Sequence, residues 1–325
     1  MNMKGTDHKL ERQVEVLRLI TPTVEKMMNR HVEKRKLWFS SDFLPSNEKS
    51  SPEDDRILTE ARKHAQTIPD SVRASLVMNT ITEEGLPHFH RFIAFHLGDE
   101  PVWRRWNFMW TAEEDRHGNV LRDYIRDTRL FDFRKVEQLQ YDFIEAGFDP
   151  FDTRSPYQTL VYTSLQERAT QVAHRNTGKQ VGDREPLLNK ILARIASEEA
   201  LHYNFYRRAF REVLACDPNL ALEAILKVMP SLNMPGIQMP GFRPMAELIR
   251  RTRIYGLWEY KDIVEEAISY WQIEVLKNLN DLGHKAQDTI MELPRRIQAA
   301  AEHLERRSTQ KAFSLDVIYN RIMEF

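Results

Sequence analysis

Two stretches of the sequence nearly repeat each other, Trp110 to His117 (WTAEEDRH) and Ala193 to His202 (ARIASEEALH). Each contains Glu-x-x-His, as Glu114/His117 and Glu199/His202, and each follows another acid, Glu83 or Glu167, at almost the same interval. A lone Glu-x-x-His arises readily by chance in a chain of this length. The same half-pattern written twice constrains the fold. On a helix, positions three and four apart share a face. Such steps back from Glu114 pass through Trp110, Trp106 and Trp103, and from Glu199 through Ile195, Ile191 and Leu188. From Glu83 they reach Leu76 and Val72; from Glu167 they reach Leu160 behind, with Thr170 and His174 ahead. The four acids therefore continue apolar stripes that should face a core.

For any single glutamate, a surface ion pair is the ordinary reading, because Glu is rarely fully buried unless paired. That reading must hold four times here, each time on an apolar face. Four carboxylates turned into one core repel each other, and each buried ion is costly unless a cation compensates it. Two divalent cations balance four carboxylates with both histidines neutral. Glu, Glu-x-x-His, Glu, Glu-x-x-His is a ligand set suited to two iron or manganese ions inside a four-helix bundle. Choosing Glu114 over Glu113 and Glu199 over Glu198 follows from spacing, since only the second acid of each pair lies three before a histidine.

The rest of the chain fits an all-α protein and excludes several classes. Lys plus Arg number 47 against 48 Asp plus Glu, so no global field points to nucleic acid or to a membrane surface. The single cysteine, Cys216, excludes a disulfide framework or a thiolate cluster and fits a reducing compartment. The polar N-terminus has no apolar signal region and no run of 18 apolar residues occurs, so a cytoplasmic protein without a membrane span is expected.

Helical spacing predicts an amphipathic helix from about Leu10 to Lys36, kinked or restarted at Pro22, then a polar loop from Phe39 to Pro52. A short helix from Glu53 to Ile68 precedes a long one from Pro69-Asp70 through Leu97, interrupted by Pro87. Further helices run from Pro101 to Thr128, over 132–146 up to Gly147, from Ser155-Pro156 through Glu167, and from Pro186 through Glu199. Residues 229–244 hold four prolines and two glycines and read as a long loop. A helix bearing Ile263, Ala267, Tyr270 and Trp271 follows, then one from His284 to Arg307 interrupted at Pro294. The final FSLDVIYNRIMEF is compatible with a short hairpin or with extended packing. With no linker, a single domain is expected: an N-terminal helix and loop (1–68), a di-iron bundle (69–215), and C-terminal helices and tail (216–325).

The words around the acids resemble those of the soluble acyl-[acyl-carrier-protein] desaturases, the plastid stearoyl type and its bacterial relatives. The matching stretches are ITEEGLP (81–87), WTAEEDRHG (110–118), SPYQTLVYTSLQERAT (155–170) and ASEEALH (196–202), with WFSSDFLP (38–45) and GHKAQD (283–288) as weaker ones. The resemblance implies a ferritin-like bundle with flanking helices. Glu83, Glu114, His117, Glu167, Glu199 and His202 would then be the ligands of two iron ions, Glu114 and Glu199 bridging. It implies an electron path through Trp38, Glu198 and His117, with Glu198 standing where the family usually carries Asp. Thr170 would hand protons to bound oxygen; the competing reading is a hydroxyl capping its own helix carbonyl. An acyl channel beside the metals would be lined by Phe92, Phe95, His96, Thr159 and Leu160, each of which is otherwise an ordinary core position. A basic rim formed by Arg250, Arg251 and Arg253 would receive the acidic carrier protein; Arg104/Arg105 and Arg295/Arg296 compete with it.

The activity expected from this resemblance is O2-dependent introduction of a cis double bond into an acyl chain held on acyl carrier protein. An unactivated methylene C–H bond resists acid–base chemistry, so a metal–oxygen oxidant is required. No flavin or Fe–S motif is present, so a ferredoxin-type donor is implied, and a homodimer is expected. The alternatives are another di-iron carboxylate oxidase (a hydroxylase, an N-oxygenase or a ribonucleotide reductase radical subunit, with Tyr162 and Tyr203 on the relevant helices), an iron-storage ferritin, and a metal-free scaffold.

Overall fold

The computed structural model describes residues 3–45, 51–98, 100–151, 153–232, 235–307 and 311–324. The chain runs α1 (Met3–Lys34), α2 (Pro52–Ala65), α3 (Asp70–Glu83), α4 (Leu86–Leu97), α5 (Pro101–Thr128), α6 (Phe133–Ala146), α7 (Pro156–Val181) and α8 (Pro186–Cys216). It continues with α9 (Pro218–Val228), α10 (Phe242–Arg251), α11 (Leu257–Tyr270), α12 (Asp281–Met291), α13 (Leu293–Arg307), β1 (Ala312–Leu315) and β2 (Arg321–Glu324). No described helix is long and apolar enough to cross a membrane.

Local chemistry sets most of these boundaries. Ser51 and Asp54 form a reciprocal capping box at the start of α2, and Asp132 accepts from Lys135 N–H to open α6. Pro156 and Pro186 stand at the first positions of α7 and α8, where the missing N–H costs nothing. Gly147 (φ +73°) and Gly182 (φ +54°) end α6 and α7 in conformations that favour glycine.

Several boundaries depart from the sequence expectation. Helix α1 begins at Met3 and carries Pro22 within it, the hydroxyl of Thr21 donating to Leu17 O just before. The helix expected over 70–97 is two helices, because Pro87 near the start of α4 lacks the N–H that would continue α3. The break places Glu84 and Gly85 between them. The Pro/Gly segment is partly ordered into 3₁₀ turns at Met229–Ser231 and Pro235–Gln238 before α10. The interruption expected at Pro294 separates α12 from α13. The tail forms an antiparallel hairpin, with Ala312 opposite Glu324 and Leu315 opposite Arg321.

Helices α3, α5, α7 and α8 form the central bundle, with α7 packed along α8 and α3 against α5 and α7. Its apolar interior is divided. One cluster holds Trp103, Trp106, Leu160, Phe205 and Tyr206; the other holds Val72, Leu76, Leu121, Ile125, Ile191 and Ile195. Helices α5 and α8 pass from one cluster to the other, and on both the crossover falls at the Glu-x-x-His segment.

Candidate metal centre

At that crossover the repeated motifs meet. Glu83, Glu114, His117 and Glu199 each offer a ligand atom within 4.8 Å of the others, and so do Glu114, Glu167, Glu199 and His202. Glu114 and Glu199 belong to both groups. All six residues that the spacing and the resemblance singled out thus converge. Both histidines are fully buried.

The histidines show what the cluster is built to hold. His117 Nε2 lies 3.1 Å from Glu198 Oε2, and His202 Nε2 lies 2.8 Å from Glu113 Oε2, so each donates from Nε2 to an acid on the opposite helix. That bond leaves Nδ1 as the lone-pair atom of a neutral imidazole. His117 Nδ1 faces Glu114 Oε2 at 2.9 Å and Glu199 Oε1 at 3.3 Å; His202 Nδ1 faces Glu114 Oε1 at 2.7 Å. Neither Nδ1 makes a hydrogen bond, nor do Glu114 Oε1 and Glu199 Oε2, although all four atoms are buried. Lone pairs aimed at one another across a dry space call for a cation or for protons between them, and the cluster could hold a metal ion. The donor set, oxygen plus imidazole nitrogen, suits iron or manganese.

Without a cation the cluster must share protons. Burial foremost, with repulsion from the neighbouring acids, raises the pKa values of Glu83 and Glu167. Burial opposes charge on His117 and His202, but the facing carboxylates, Glu114 foremost, outweigh it and hold both well above the ordinary imidazole range. Burial likewise works against Glu199, yet the facing imidazoles of His117 and His202 hold its carboxyl low.

A second set of groups fixes the six. Glu198 accepts from Trp38 Nε1 at 2.9 Å and from Arg116 Nη2 at 2.9 Å, so the Trp38–Glu198–His117 chain expected from the resemblance is continuous here. Glu198 reaches both partners despite being one methylene longer than Asp. The other half has an analogous chain that sequence reasoning missed. Glu113 accepts from His31 Nε2 and from Arg35 Nη1, both at 2.8 Å, besides His202. The signal was present: Glu113 precedes Glu114 just as Glu198 precedes Glu199. Trp110 Nε1 donates to Glu167 Oε1 at 2.9 Å, and His174 Nε2 lies 2.9 Å from Glu83 Oε1.

The remaining expected residues are placed less simply. A cavity of about 40 Å³ lies against the acids, lined by Leu86, Phe89, Trp110, Gln166 and Thr170 among others. Thr170 borders it, but its hydroxyl lies 3.2 Å from Gln166 O and 3.1 Å from Glu167 O, within its own helix. None of the five expected channel residues lines this cavity. Phe92, His96, Thr159 and Leu160 are buried, with His96 Nδ1 accepting from Ser155 N–H at 2.8 Å and Thr159 donating to Ser155 O. Phe95 is 54% exposed, because the inward face of α4 runs through Phe92, Ile93, His96 and Leu97. Arg250 and Arg251 pair with Glu247, and Arg253 with Glu259, so the expected basic rim is largely neutralised. Tyr203 donates to Glu266, away from the acids.

With this geometry in view, comparison with known proteins decides the family. Residues 12–319 match the family model described as fatty acid desaturase. The chain belongs to the fatty acid desaturase family. DesA1 of Mycobacterium tuberculosis, assigned by its name to the acyl-[acyl-carrier-protein] desaturases, is 30% identical over 94% of this chain and 90% of its own. The chloroplastic stearoyl-[acyl-carrier-protein] 9-desaturase 6 of Arabidopsis thaliana is 33% identical over 88% of this chain and 77% of its own. An X-ray structure of DesA2 from Mycobacterium tuberculosis superposes with a TM-score of 0.62 at 22% identity, covering 82% of this chain and 99% of that one. That match shows the fold: a helical bundle with further helices around it, shared with DesA2.

Proposed function

We propose that this family member is an acyl-[acyl-carrier-protein] desaturase that places a cis double bond in a fatty acyl chain at the expense of O2. The observation that carries the reading is the pair of four-ligand clusters sharing Glu114 and Glu199. Two iron ions bound there would supply the oxidising power that an unactivated methylene requires. In the overall balance the acyl chain loses two hydrogens, O2 accepts these with two external electrons and two protons, and two waters form.

The residues divide the work. Glu114 and Glu199, common to both groups, would help hold both ions; Glu83 with His117, and Glu167 with His202, would complete the two sets. Trp38 and Glu198 would carry electrons from a ferredoxin-type donor to His117. Thr170 borders the cavity where a reacting methylene would sit, and its hydroxyl could turn from the helix carbonyls to hand over protons. Leu86 and Phe89 keep that cavity apolar and exclude water. The acyl chain would reach it between α4 and α7, past Phe92, His96, Thr159 and Leu160. The carrier protein would dock near Arg250, Arg251 and Arg253. We place the enzyme in the cytoplasm as a homodimer.

The test is product analysis after incubation of acyl-[acyl-carrier-protein] of several chain lengths with protein, ferredoxin, its reductase, NADPH and O2. A cis-monounsaturated product is expected. Hydroxylated product alone, or no product from protein carrying two irons per chain, would sink the reading.

A further inference from the structure

An open cleft of about 770 Å³ lies between α4, α5 and α6, outside the centre described above. Its lining shares Glu83 and Leu86 with the small cavity at the acids, so the two spaces adjoin across these side chains. The break between α3 and α4 makes this possible. Glu83 is the last residue of α3 and joins the ligand cluster, while Glu84, the next residue, lines the cleft. Gly118 lets α5 approach the break: a Cβ there would stand 3.3 Å from Glu84 Cγ.

Glu84 is more than nine-tenths buried yet only half satisfied. Its Oε1 accepts from Arg122 Nη1 at 2.9 Å, and its Oε2 has no partner. Arg122 is itself shared with Glu137 and Gln140. The charged lining is otherwise acidic, with Glu83 at the inner end and Asp115 at the outer. The pocket above His31 has the opposite sign, surrounded by Arg30, Lys34 and Arg208. A dication moving in from solvent is repelled on that face and attracted in the cleft.

We propose that this cleft is the route by which divalent metal enters the centre, with Glu84 Oε2 as the transfer carboxylate that passes the ion to Glu83. The inference rests on the metal-centre reading. Glu84 is not one of the resident ligands: it belongs to neither four-ligand group. It supplies a hard oxygen donor one residue from a ligand, where an ion shedding water needs an intermediate stop.

The experiment follows Co2+ entering the full-length metal-free protein by stopped-flow absorbance of its ligand-field bands, with final stoichiometry from metal analysis. Glu84→Gln keeps an oxygen for Arg122 and is expected to slow uptake about tenfold while still reaching two ions per chain. Asp115→Asn, at the exposed outer end, should slow it about twofold and weaken its dependence on ionic strength. Uptake by Glu84→Gln at the wild-type rate would overturn the route. A final content of one ion would also overturn it, by making Glu84 a ligand. Wild-type protein that takes up no Co2+ would instead bring down the metal-centre reading itself, so the two failures are distinguishable.

Discussion

The two halves of the centre are matched in geometry and mismatched in chemistry. In each, the metal-facing histidine donates to the first acid of the opposite Glu-Glu pair, and that acid is clamped by an arginine and by a ring from the N-terminal segment. The rings also lie parallel to the histidines: Trp38 to His117 at 5.9 Å, and His31 to His202 at 5.7 Å. Yet one half ends in an indole and the other in an imidazole. The terminal acids reverse the assignment, Glu167 taking its bond from Trp110 and Glu83 from His174. A duplicated ligand motif therefore does not make duplicated sites. The indole offers a large polarizable ring with a fixed N–H, suited to electron passage, whereas His31 offers a donor without that capacity.

The largest expected effect tests what the halves share. Glu199→Ala removes an acid common to both four-ligand groups, so metal analysis should find neither ion retained and desaturation should vanish; protein that keeps one ion would show that the halves fill independently. Next comes the difference between the rings. Trp38→Leu should lower ferredoxin-driven turnover by about 10–100-fold while chemically reduced protein still completes a single turnover. His31→Leu should weaken metal retention against a chelator by about tenfold yet leave ferredoxin-driven turnover per bound metal unchanged. Equal loss of that turnover in both variants would erase the distinction. Shortening the clamp is a finer probe: Glu198→Asp should keep turnover within about threefold.

The smallest effect calibrates the whole comparison on a buried acid with no cation to serve. Glu185 is fully buried at the start of α8, where it caps Leu188 N–H, and burial foremost pushes its pKa up to about 7. Its folded pKa lies above the unfolded value, so folding takes up a proton and stability falls as pH rises through the window from about 4.5 to 7. Glu185→Gln keeps the capping oxygen and escapes that loss. Its thermal midpoint should exceed wild type by about 5 °C at pH 8 and scarcely at all at pH 4; a constant difference across pH would mean the carboxyl is not the cause.

Glu114 and Glu199 stand out in the sequence because two local rules coincide on them, a three-residue step to histidine and membership of an apolar stripe; Glu83 and Glu167 obey only the second. Glu113 obeyed a weaker rule, its place before Glu114, whose meaning emerges only from the paired case at Glu198. His31 and Arg35 obeyed none. His31 lies in the last turn of α1 and Arg35 just past its end, and only tertiary packing brings them to Glu113. Phe95 was misplaced because α4 packs on α5 and α7 along one narrow stripe and leaves its flank to solvent. The arginines near α10 read in the sequence as a basic rim, whereas Glu247 and Glu259 stand within reach of them. The break between α3 and α4 is legible in the sequence as the interruption at Pro87.

The crossover between the two apolar clusters has a mechanical consequence. A bundle with a continuous greasy interior is welded along its length; this one is welded at both ends and, at mid-height, filled with carboxylates. Ions seated there would act as rivets through the waist, so loading should quench opening motions at mid-bundle more than at either end. Amide hydrogen exchange would register that as protection concentrated on the turns of α5 and α8 flanking the ligands, a pattern in which cofactor binding and bundle cohesion become one event.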